Sequence, residues 1–385
     1  MRLPFALPDI GDEEIDAVAA AMRSGWITTG PNAHAFQEEF VAFLEDPTVQ
    51  AVAVNSATAG LHLALEALGI GPGDEVIAPS LTFTATVEVV RYLGAEPILV
   101  DVDSDTLCMS VDSMRAAITD RTKCVVPVHY GGLPCDMSAI LKVAREHGLK
   151  VVEDAAHALP ARYEGRLIGT LQSDATVFSF YANKTMTTGE GGMVVARDQA
   201  IIDRMKVMRL HGIDRDAFNR FRSDKPAWYY EVVAPGYKYN LTDIGAALGR
   251  VQLRRLPSFQ MRREQLARRY FERLAGLPLI LPARPNEAGG HSWHLYVVRL
   301  DDAAYARGIT RDQVIMDLSK RGIGTSVHYV PLHRQPYWRD RGNLRPEQFP
   351  QSEHAYQRMI SIPLFTAMTD ADQEYVIDAL HELLR

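Results

Sequence analysis

The sequence around Lys184 favours a catalytic role for this lysine over a position on the solvated surface. Lys184 lies on the predicted turn 179–192 (SFYANKTMTTGEGG), directly after a predicted strand, and the glycines 189 and 191 separate it from the next strand. Glycines allow a close approach of the backbone, and a lysine in a desolvated crevice becomes a nucleophilic amine. Because a lone lysine is usually solvated, the assignment depends on what accompanies it.

Two other segments supply the groups that such a lysine needs to hold an aldehyde cofactor. Asp154 ends a predicted strand in the segment EDAAH, where its carboxylate could pair with a cationic ring nitrogen or could equally cap a loop. Ala57 and Thr58 begin a helix directly after another strand, which favours an anion there, although an ordinary helix cap would look the same. Ser179 could add a hydroxyl to that anion site. Together the groups predict pyridoxal 5′-phosphate (PLP) on Lys184.

Seven short apolar runs are the elements that must bring these groups together. The candidate strands are 51–54, 75–78, 97–102, 124–129, 150–153, 175–180 and 192–196, with helical patterns between most of them. This alternation predicts a mainly parallel sheet with helices on both faces. Ligands of such sheets bind at the carboxyl ends of the strands, where Thr58, Asp154 and Lys184 all follow.

The pattern changes after residue 200. An arginine-rich helical stretch (242–274) is followed by strand-like segments at 293–300 and 324–330 and by a terminal helix near 370–384. We therefore predict a large domain over 1–255, which includes an N-terminal arm, and a smaller C-terminal α/β domain over 256–385. Apolar residues at helical spacing oppose the arginines, which favours a solvated helix face over a nucleic-acid site.

Composition narrows the class of protein. The 385 residues are 47% hydrophobic and 23% charged, as in ordinary globular proteins, and the net charge of −7 argues against nucleic acid as a partner. The sequence has no apolar run of the ~18 residues that a membrane span requires and no signal-peptide pattern at its start. Three cysteines without disulfide or zinc spacing then favour a cytoplasmic protein. The histidine pairs 291/294 and 328/333 lack cysteine or carboxylate partners, so we predict no metal site.

Motifs spread over the whole chain carry a resemblance to a known family. They are SGWITTGP (24–31), NSATAGLHLAL (55–65), GDEVIAPSLTFTATV (73–87), EDAAHA (153–158), SFYANKTMTTGEGGMV (179–194), GYKYNLTDIGAALG (236–249) and RGIGTSVHYVPLH (321–333). The chain resembles the sugar aminotransferases of the DegT/DnrJ/EryC1/StrS family. The resemblance implies the α/β fold of the fold-type I PLP-dependent aminotransferases, a large domain with a mixed, mostly parallel seven-stranded sheet plus a smaller C-terminal α/β domain. Within the family, VHYGG (128–132) and SWHLYVVR (292–299) are most similar to the enzymes that make UDP-4-amino-4-deoxy-L-arabinose.

The resemblance also implies a cofactor role for the residues that match the family's motifs. Lys184 would bind the cofactor and act as the general base, and Asp154 would pair with the pyridinium nitrogen. Phe83 would stack on the pyridine ring, and His157 would lie near its 3′-oxygen. The phosphate would be held by Ala57, Thr58 and Ser179.

A homodimer with a shared active site is implied as well. In the family an asparagine of the neighbouring subunit completes the phosphate site. Here the segment reads GYKYN instead of the GYNYR form, so Asn240 is the candidate, and Lys238 stays open as the alternative. Substrate contacts would come from Thr28, Tyr181 and His328.

The implied reaction is the transfer of an amino group from L-glutamate, which leaves as 2-oxoglutarate, to a nucleotide-linked keto sugar. A UDP-4-ketopentose is the favoured acceptor, and the product would be UDP-4-amino-4-deoxy-L-arabinose. Another 3- or 4-ketohexose linked to dTDP, UDP or GDP stays an alternative, because Phe83 replaces a tryptophan and the segments 214–230 and 334–350 diverge. A sugar dehydratase of the family would carry histidine in place of Lys184, and a regulatory homologue would not need Lys184, Asp154 and Ser179 together.

Overall fold

The computed structural model describes residues 3–214 and 228–385. Its strands are β1 (Gln50–Val54), β2 (Glu75–Pro79), β3 (Glu96–Val100), β4 (Thr122–Val125), β5 (Lys150–Asp154), β6 (Arg162–Tyr163), β7 (Arg166–Leu167), β8 (Ala175–Ser179), β9 (Gly192–Ala196), β10 (Leu279–Ile280), β11 (Tyr296–Leu300) and β12 (Met359–Ile362). Its helices are α1 (Asp12–Arg23), α2 (Pro31–Phe43), α3 (Ala57–Ala67), α4 (Ala85–Tyr92), α5 (Val111–Ala116), α6 (Met137–His147), α7 (Gln199–Met208), α8 (Asp243–Arg273), α9 (Asp302–Ala306), α10 (Arg311–Lys320), α11 (Pro336–Gly342), α12 (Pro350–Arg358) and α13 (Asp370–Leu384).

A seven-stranded sheet in the order β1-β9-β8-β5-β4-β2-β3 forms the centre of the larger part of the chain. All neighbours are parallel except β9, which runs antiparallel to both β1 and β8. The seven predicted strands are all present, and the predicted fold class is confirmed. Alternate residues of each strand enter different cores: Ala51 and Ala53 pack on one face of the sheet, and Val52 and Val54 pack on the other. Burial on both faces explains why the strands read as continuous apolar runs.

The long helix α8 joins this sheet to the rest of the chain. It begins after Thr242, whose hydroxyl accepts the Gly245 N–H at 3.2 Å as a helix cap. We predicted that the arginines of α8 form a solvated face, but several of them pair with carboxylates of the N-terminal segment. Arg250 binds Glu39 at 2.7 Å, and Arg255 binds both Asp9 and Glu14.

A smaller antiparallel sheet, β10-β11-β12, follows α8 and packs with α10 and α13 around a separate apolar core. The predicted strand at 293–300 is found from Tyr296 onward, and the terminal helix is α13. The proposed boundary at residue 255 falls inside the continuous helix α8, and the division into domains stays a prediction.

The predicted strand at 324–330 is wrong. Only Ser326 pairs with the sheet, where it exchanges backbone hydrogen bonds of 3.1 and 2.8 Å with Ser361. After Ser326 the chain leaves the sheet edge, and His328 and Tyr329 line a cavity at the end of the large sheet. Of the apolar residues in this segment, Tyr329 lines the cavity, and Val327 packs against the core of the large sheet.

Candidate active site

A cavity of about 440 Å³ opens at the carboxyl ends of the central strands. This volume lies within the range of about 300–1,000 Å³ that small-molecule sites occupy. The end of β5, the turn after β8 and the start of α3 all reach it. Its lining residues include Ser56, Ala57, Thr58, Thr82, Phe83, Asp154, His157, Ser179, Tyr181, Asn183, Lys184, His294, His328 and Tyr329.

Asp154 is a buried carboxylate at the end of β5, with 6% of its surface exposed. The Thr86 hydroxyl donates to it at 2.8 Å and the Ala156 N–H at 3.2 Å, while Thr82 bonds Thr86 at 2.9 Å. Burial raises the pKa of Asp154, whereas the bonds from Thr86 and Ala156 and the charge of Lys184 act in the opposite direction. The site thus holds a desolvated carboxylate that gains from a cationic partner in the cavity.

Lys184 lies on the turn between β8 and β9. Its N–H donates to the Tyr181 carbonyl at 3.0 Å, and the Phe180 carbonyl accepts the Thr188 N–H at 2.9 Å, so the turn is fixed by its own backbone. Burial lowers the pKa of Lys184 to about 8, against the charge of Asp154, which raises it. The neutral amine, which is the nucleophilic form, is therefore accessible near physiological pH.

The start of α3 forms a cradle for an anion. The Ser56 hydroxyl caps the helix by accepting the Ala59 N–H at 3.1 Å. Within the described residues, the N–H groups of Ala57 and Thr58 find no acceptor, and they lie where a helix favours negative charge. Gly192 allows β9 to approach this turn, since a Cβ there would stand 2.9 Å from the Ala57 nitrogen.

A wall of imidazole and phenol groups closes the other part of the cavity. His157 accepts the Gly131 N–H at Nδ1 (3.2 Å), so its Nε2 carries the proton and donates to the Tyr329 hydroxyl at 3.0 Å. Burial lowers the pKa of His157 well below its usual value, and it lowers the pKa of His328 to about 4. The wall is therefore neutral at physiological pH.

The structure brings most of the predicted site residues together. Those that line the cavity are Ala57, Thr58, Phe83, Asp154, His157, Ser179, Tyr181, Lys184 and His328. The Phe83 ring is 57% exposed and lies 5.8 Å from the Tyr329 ring, centroid to centroid. These residues fit PLP: an amine for its aldehyde, a carboxylate for its ring nitrogen, free N–H groups for its phosphate and an aromatic face at the cavity mouth.

Two predicted residues, Thr28 and Asn240, do not line this cavity. Thr28 is exposed, and its carbonyl accepts the Asp243 N–H at 3.2 Å. Asn240 donates through Nδ2 to the Thr29 hydroxyl at 2.7 Å. Lys238 is exposed, and its carbonyl accepts from Asn55 at 3.2 Å. Most of the divergent segment 214–230 lies outside the described residues.

Sequence reasoning missed three residues of the site. Thr86 supports Asp154 from α4, Tyr329 bonds His157, and His294 lies in the wall 4.4 Å from His157, centroid to centroid. The threonine could have been found from its position in the motif that contains Phe83. His294 had no such signal, because it precedes β11, which begins at Tyr296.

Within residues 3–214 and 228–385, no cluster of histidine, cysteine and carboxylate groups could hold a metal ion. The same residues include no helix that is long and apolar enough to cross a membrane.

Comparison with known proteins agrees with the chemistry of the cavity. The DegT/DnrJ/EryC1/StrS aminotransferase family matches residues 8–381. The chain is 46% identical to the spore coat polysaccharide biosynthesis protein SpsC of Bacillus subtilis (strain 168) over 384 residues, which cover 100% of this chain and 97% of that protein.

Solved structures of relatives have the same fold. A Streptococcus pneumoniae protein described as a sugar aminotransferase, solved in its pyridoxamine phosphate form, is 35% identical with a TM-score of 0.91 over 99% of this chain and 98% of that chain. The PLP form of the same protein has a TM-score of 0.90. The Helicobacter pylori aminotransferase PseC, described as involved in pseudaminic acid biosynthesis, is 27% identical with a TM-score of 0.90 over 99% of both chains. The chain thus belongs to the DegT/DnrJ/EryC1/StrS aminotransferase family, and it is a PLP-dependent sugar aminotransferase.

Proposed function

We propose that this enzyme transfers the amino group of L-glutamate to the keto carbon of a nucleotide-linked sugar. The favoured acceptor is a UDP-4-ketopentose, and the product is UDP-4-amino-4-deoxy-L-arabinose. The observation that carries the proposal is a desolvated lysine with a pKa near 8 in one cavity with a buried carboxylate and an anion cradle. We also propose a cytoplasmic location, which the free thiols of Cys108, Cys124 and Cys135 support.

The residues of the cavity have different roles in transamination. PLP, when bound, supplies an electron sink for the carbon that carries the amino group. Asp154, held by Thr86 and the Ala156 N–H, keeps a negative charge against the ring nitrogen. The Lys184 amine, once free, takes a proton from the donor's α-carbon and later delivers one to the sugar carbon. Ala57, Thr58 and Ser179 would hold the phosphate and so fix the cofactor's orientation.

The choice of sugar is supported by sequence similarity more than by geometry. The segments VHYGG and SWHLYVVR supply Gly131 and His294 to the wall and its supports, so the similarity to UDP-4-amino-4-deoxy-L-arabinose enzymes includes residues of the cavity. A ketohexose on dTDP, UDP or GDP is the second candidate. The named role of PseC in pseudaminic acid biosynthesis shows that the fold also serves another sugar pathway.

We propose further that two copies of the chain share each active site. The cavity mouth exposes large side chains, with Phe83 57% and Tyr181 48% exposed, which a partner subunit would cover. Thr28 and Asn240 lie outside the cavity of their own chain, so a contact with cofactor or substrate would have to be made in a partner's cavity, and Asn240 already donates to Thr29 at 2.7 Å. Lys238 has no ion-pair partner within the described ranges, so its charge is available to a neighbouring phosphate.

The first experiment is the near-ultraviolet and visible spectrum of the purified protein with PLP, before and after L-glutamate. We expect a visible band of the lysine-bound cofactor that bleaches with L-glutamate. UDP-4-amino-4-deoxy-L-arabinose, the proposed product, should bleach the same band in the reverse direction. Lys184→Ala is the control, and it should bind PLP without the band.

Each result has a defined meaning. A band that persists with L-glutamate would contradict the proposed donor. A band that bleaches with L-glutamate but with none of the UDP-pentose compounds would favour the ketohexose alternative, which a dTDP- or UDP-linked 4-aminohexose would then test. Absence of any band would contradict the role of Lys184.

A further inference from the structure

His294 is a buried imidazole on the cavity wall with no hydrogen-bond partner among the residues that the structure describes. Only 5% of the residue is exposed, yet it lines the same cavity as Lys184 and Asp154. Its Nδ1 is shielded from solvent and has no partner, and no bond of its Nε2 exists within residues 3–214 and 228–385. Nearly all buried polar groups in native proteins are hydrogen-bonded, so an exception requires an explanation.

The neighbouring histidines of the wall are already committed to protein partners. His157 uses both ring nitrogens, one with the Gly131 N–H and one with the Tyr329 hydroxyl. His328 bonds Ser361 through Nδ1 at 2.8 Å. Among the described histidines that line the cavity, His294 alone has both nitrogens without a protein partner.

The backbone around His294 is fixed on both sides. The Ser292 N–H donates to the Gly132 carbonyl and the Leu295 N–H to the Gly131 carbonyl, both at 3.0 Å. Between them Trp293 adopts a φ of +52°, a left-handed conformation that a bulky residue seldom takes. Such conformations cluster at functional sites, because the surrounding structure must hold them in place. Here the turn presents His294 to the cavity.

His294 is neutral in this setting. Burial lowers its pKa well below the usual value, and the charges of Lys184 and Arg263 act in the same direction. A neutral imidazole offers one N–H donor and one acceptor nitrogen. It suits hydroxyl and carbonyl groups, whereas a carboxylate such as that of L-glutamate prefers a cation.

We propose that His294 binds the acceptor sugar, through a hydroxyl or keto oxygen, and so contributes to sugar specificity. The inference rests on the proposed function, in which a sugar enters this cavity. The ring nitrogen, the aldehyde and the phosphate of the cofactor already have candidates in Asp154, Lys184 and the cradle, which leaves His294 for the substrate. Binding of the sugar then supplies the hydrogen-bond partner that the imidazole lacks.

The test compares His294→Leu with a matched control, His291→Leu. His291 is equally buried and lies on the same segment, but it does not line the cavity. Its Nδ1 accepts the Trp293 N–H at 2.9 Å and its ring stacks on Trp293 at 3.8 Å, so its loss should lower the Tm of the cofactor-free protein. His294→Leu should leave that Tm unchanged or raise it, because it removes an unpaired buried polar group.

Two half-reactions locate the contact. His294→Leu should keep the PLP spectrum and the rate of bleaching by L-glutamate, while kcat/KM for UDP-4-amino-4-deoxy-L-arabinose falls about tenfold or more, the loss of at least one hydrogen bond. His294→Gln, which keeps a donor and an acceptor, should recover part of that loss. A panel of UDP- and dTDP-linked 4-aminohexoses is used in parallel.

A Tm loss in His294→Leu as large as that of His291→Leu would overturn the proposal, as would equal losses in both half-reactions. If no amino sugar of the panel reacts with the wild-type protein, the proposed sugar substrates fail. The Tm comparison then decides alone: a loss as large as that of His291→Leu overturns the role of His294, and a Tm equal to or above the wild type supports an imidazole without a protein partner, as a ligand contact requires.

Discussion

Burial lowers the pKa of the Lys184 ammonium to about 8, and this shift has a measurable consequence in the cofactor-free protein. At pH 7 a group of pKa 8 is roughly one-tenth deprotonated, whereas an ordinary lysine of pKa about 10.4 is deprotonated in only a few molecules per ten thousand. The neutral fraction is therefore about 230-fold larger at Lys184. Its reactivity with an electrophile should reach half of its maximum near pH 8.

Replacement of Asp154 separates the two causes of this pKa. The Asp154 carboxylate raises the pKa of Lys184 against the effect of burial. Asp154→Asn removes that charge and keeps the shape, so the midpoint should move below pH 8. The folded pKa of Lys184 lies below the unfolded one, so the unfolded chain binds more protons between about pH 8 and 10.4. Stability should thus rise with pH across that window, and the cost of burying the ammonium, up to about 3 kcal/mol, is present in full below pH 8.

Competitive labelling measures the midpoint directly. The cofactor-free protein and a free amine of known pKa react together with trace acetic anhydride between pH 6 and 11, and mass spectrometry quantifies the peptide that contains Lys184. Midpoints near 10 in both the wild type and Asp154→Asn would refute the argument from burial. A midpoint that rises in Asp154→Asn would refute the argument from charge.

Four further substitutions test the supports of the site. Thr86→Val removes the hydroxyl that donates to Asp154 at 2.8 Å. We expect the free energy of unfolding of the cofactor-free protein, measured with urea, to fall by about 1–3 kcal/mol. Equilibrium dialysis should show a weaker affinity for PLP. Asp243→Asn replaces the carboxylate that accepts three N–H groups at the start of α2 (residues 30, 32 and 33). The free energy of unfolding in urea should fall by about 1–2 kcal/mol, and the affinity for PLP should stay unchanged. Lys238→Ala should raise the Kd for PLP, whereas Asn240→Ala, which breaks the hydrogen bond to Thr29, should mainly lower the Tm. If instead Asn240→Ala raises the Kd and Lys238→Ala does not, Asn240 is the phosphate ligand.

The sheet was predictable because its strands obey a local rule. Val52 and Val54 pack on one face while Ala51 and Ala53 pack on the other, so β1 is apolar throughout and its sequence shows it. Asp154 and Lys184 were predictable for a related reason. Asp154 ends β5 and Lys184 stands on the turn after β8, and the topology of a parallel sheet brings the carboxyl ends of its strands to one edge.

The wall of the cavity was harder to predict because its residues meet through contacts between distant parts of the chain. Tyr329 reaches His157 from the C-terminal part, and His294 is positioned by carbonyls of residues 131 and 132. No local pattern encodes such a meeting. The segment 324–330 even has the apolar content of a strand, but only Ser326 pairs with the sheet.

The distribution of charge in the cavity connects the lysine to the quaternary structure that we propose. Burial and the charge of Lys184 lower the pKa of the three cavity histidines, residues 157, 294 and 328, and so keep them neutral. Lys184 is therefore the one cation among the described residues that line the cavity. A single cation beside the Asp154 carboxylate leaves little net positive charge for the carboxylates of L-glutamate or the diphosphate of a nucleotide sugar. Those anionic groups need cations from outside this lining. A partner subunit that presents Lys238 at the cavity mouth would supply one without adding charge beside Lys184. The same arrangement would explain why a lysine stands at the position where the family carries the asparagine of the phosphate site.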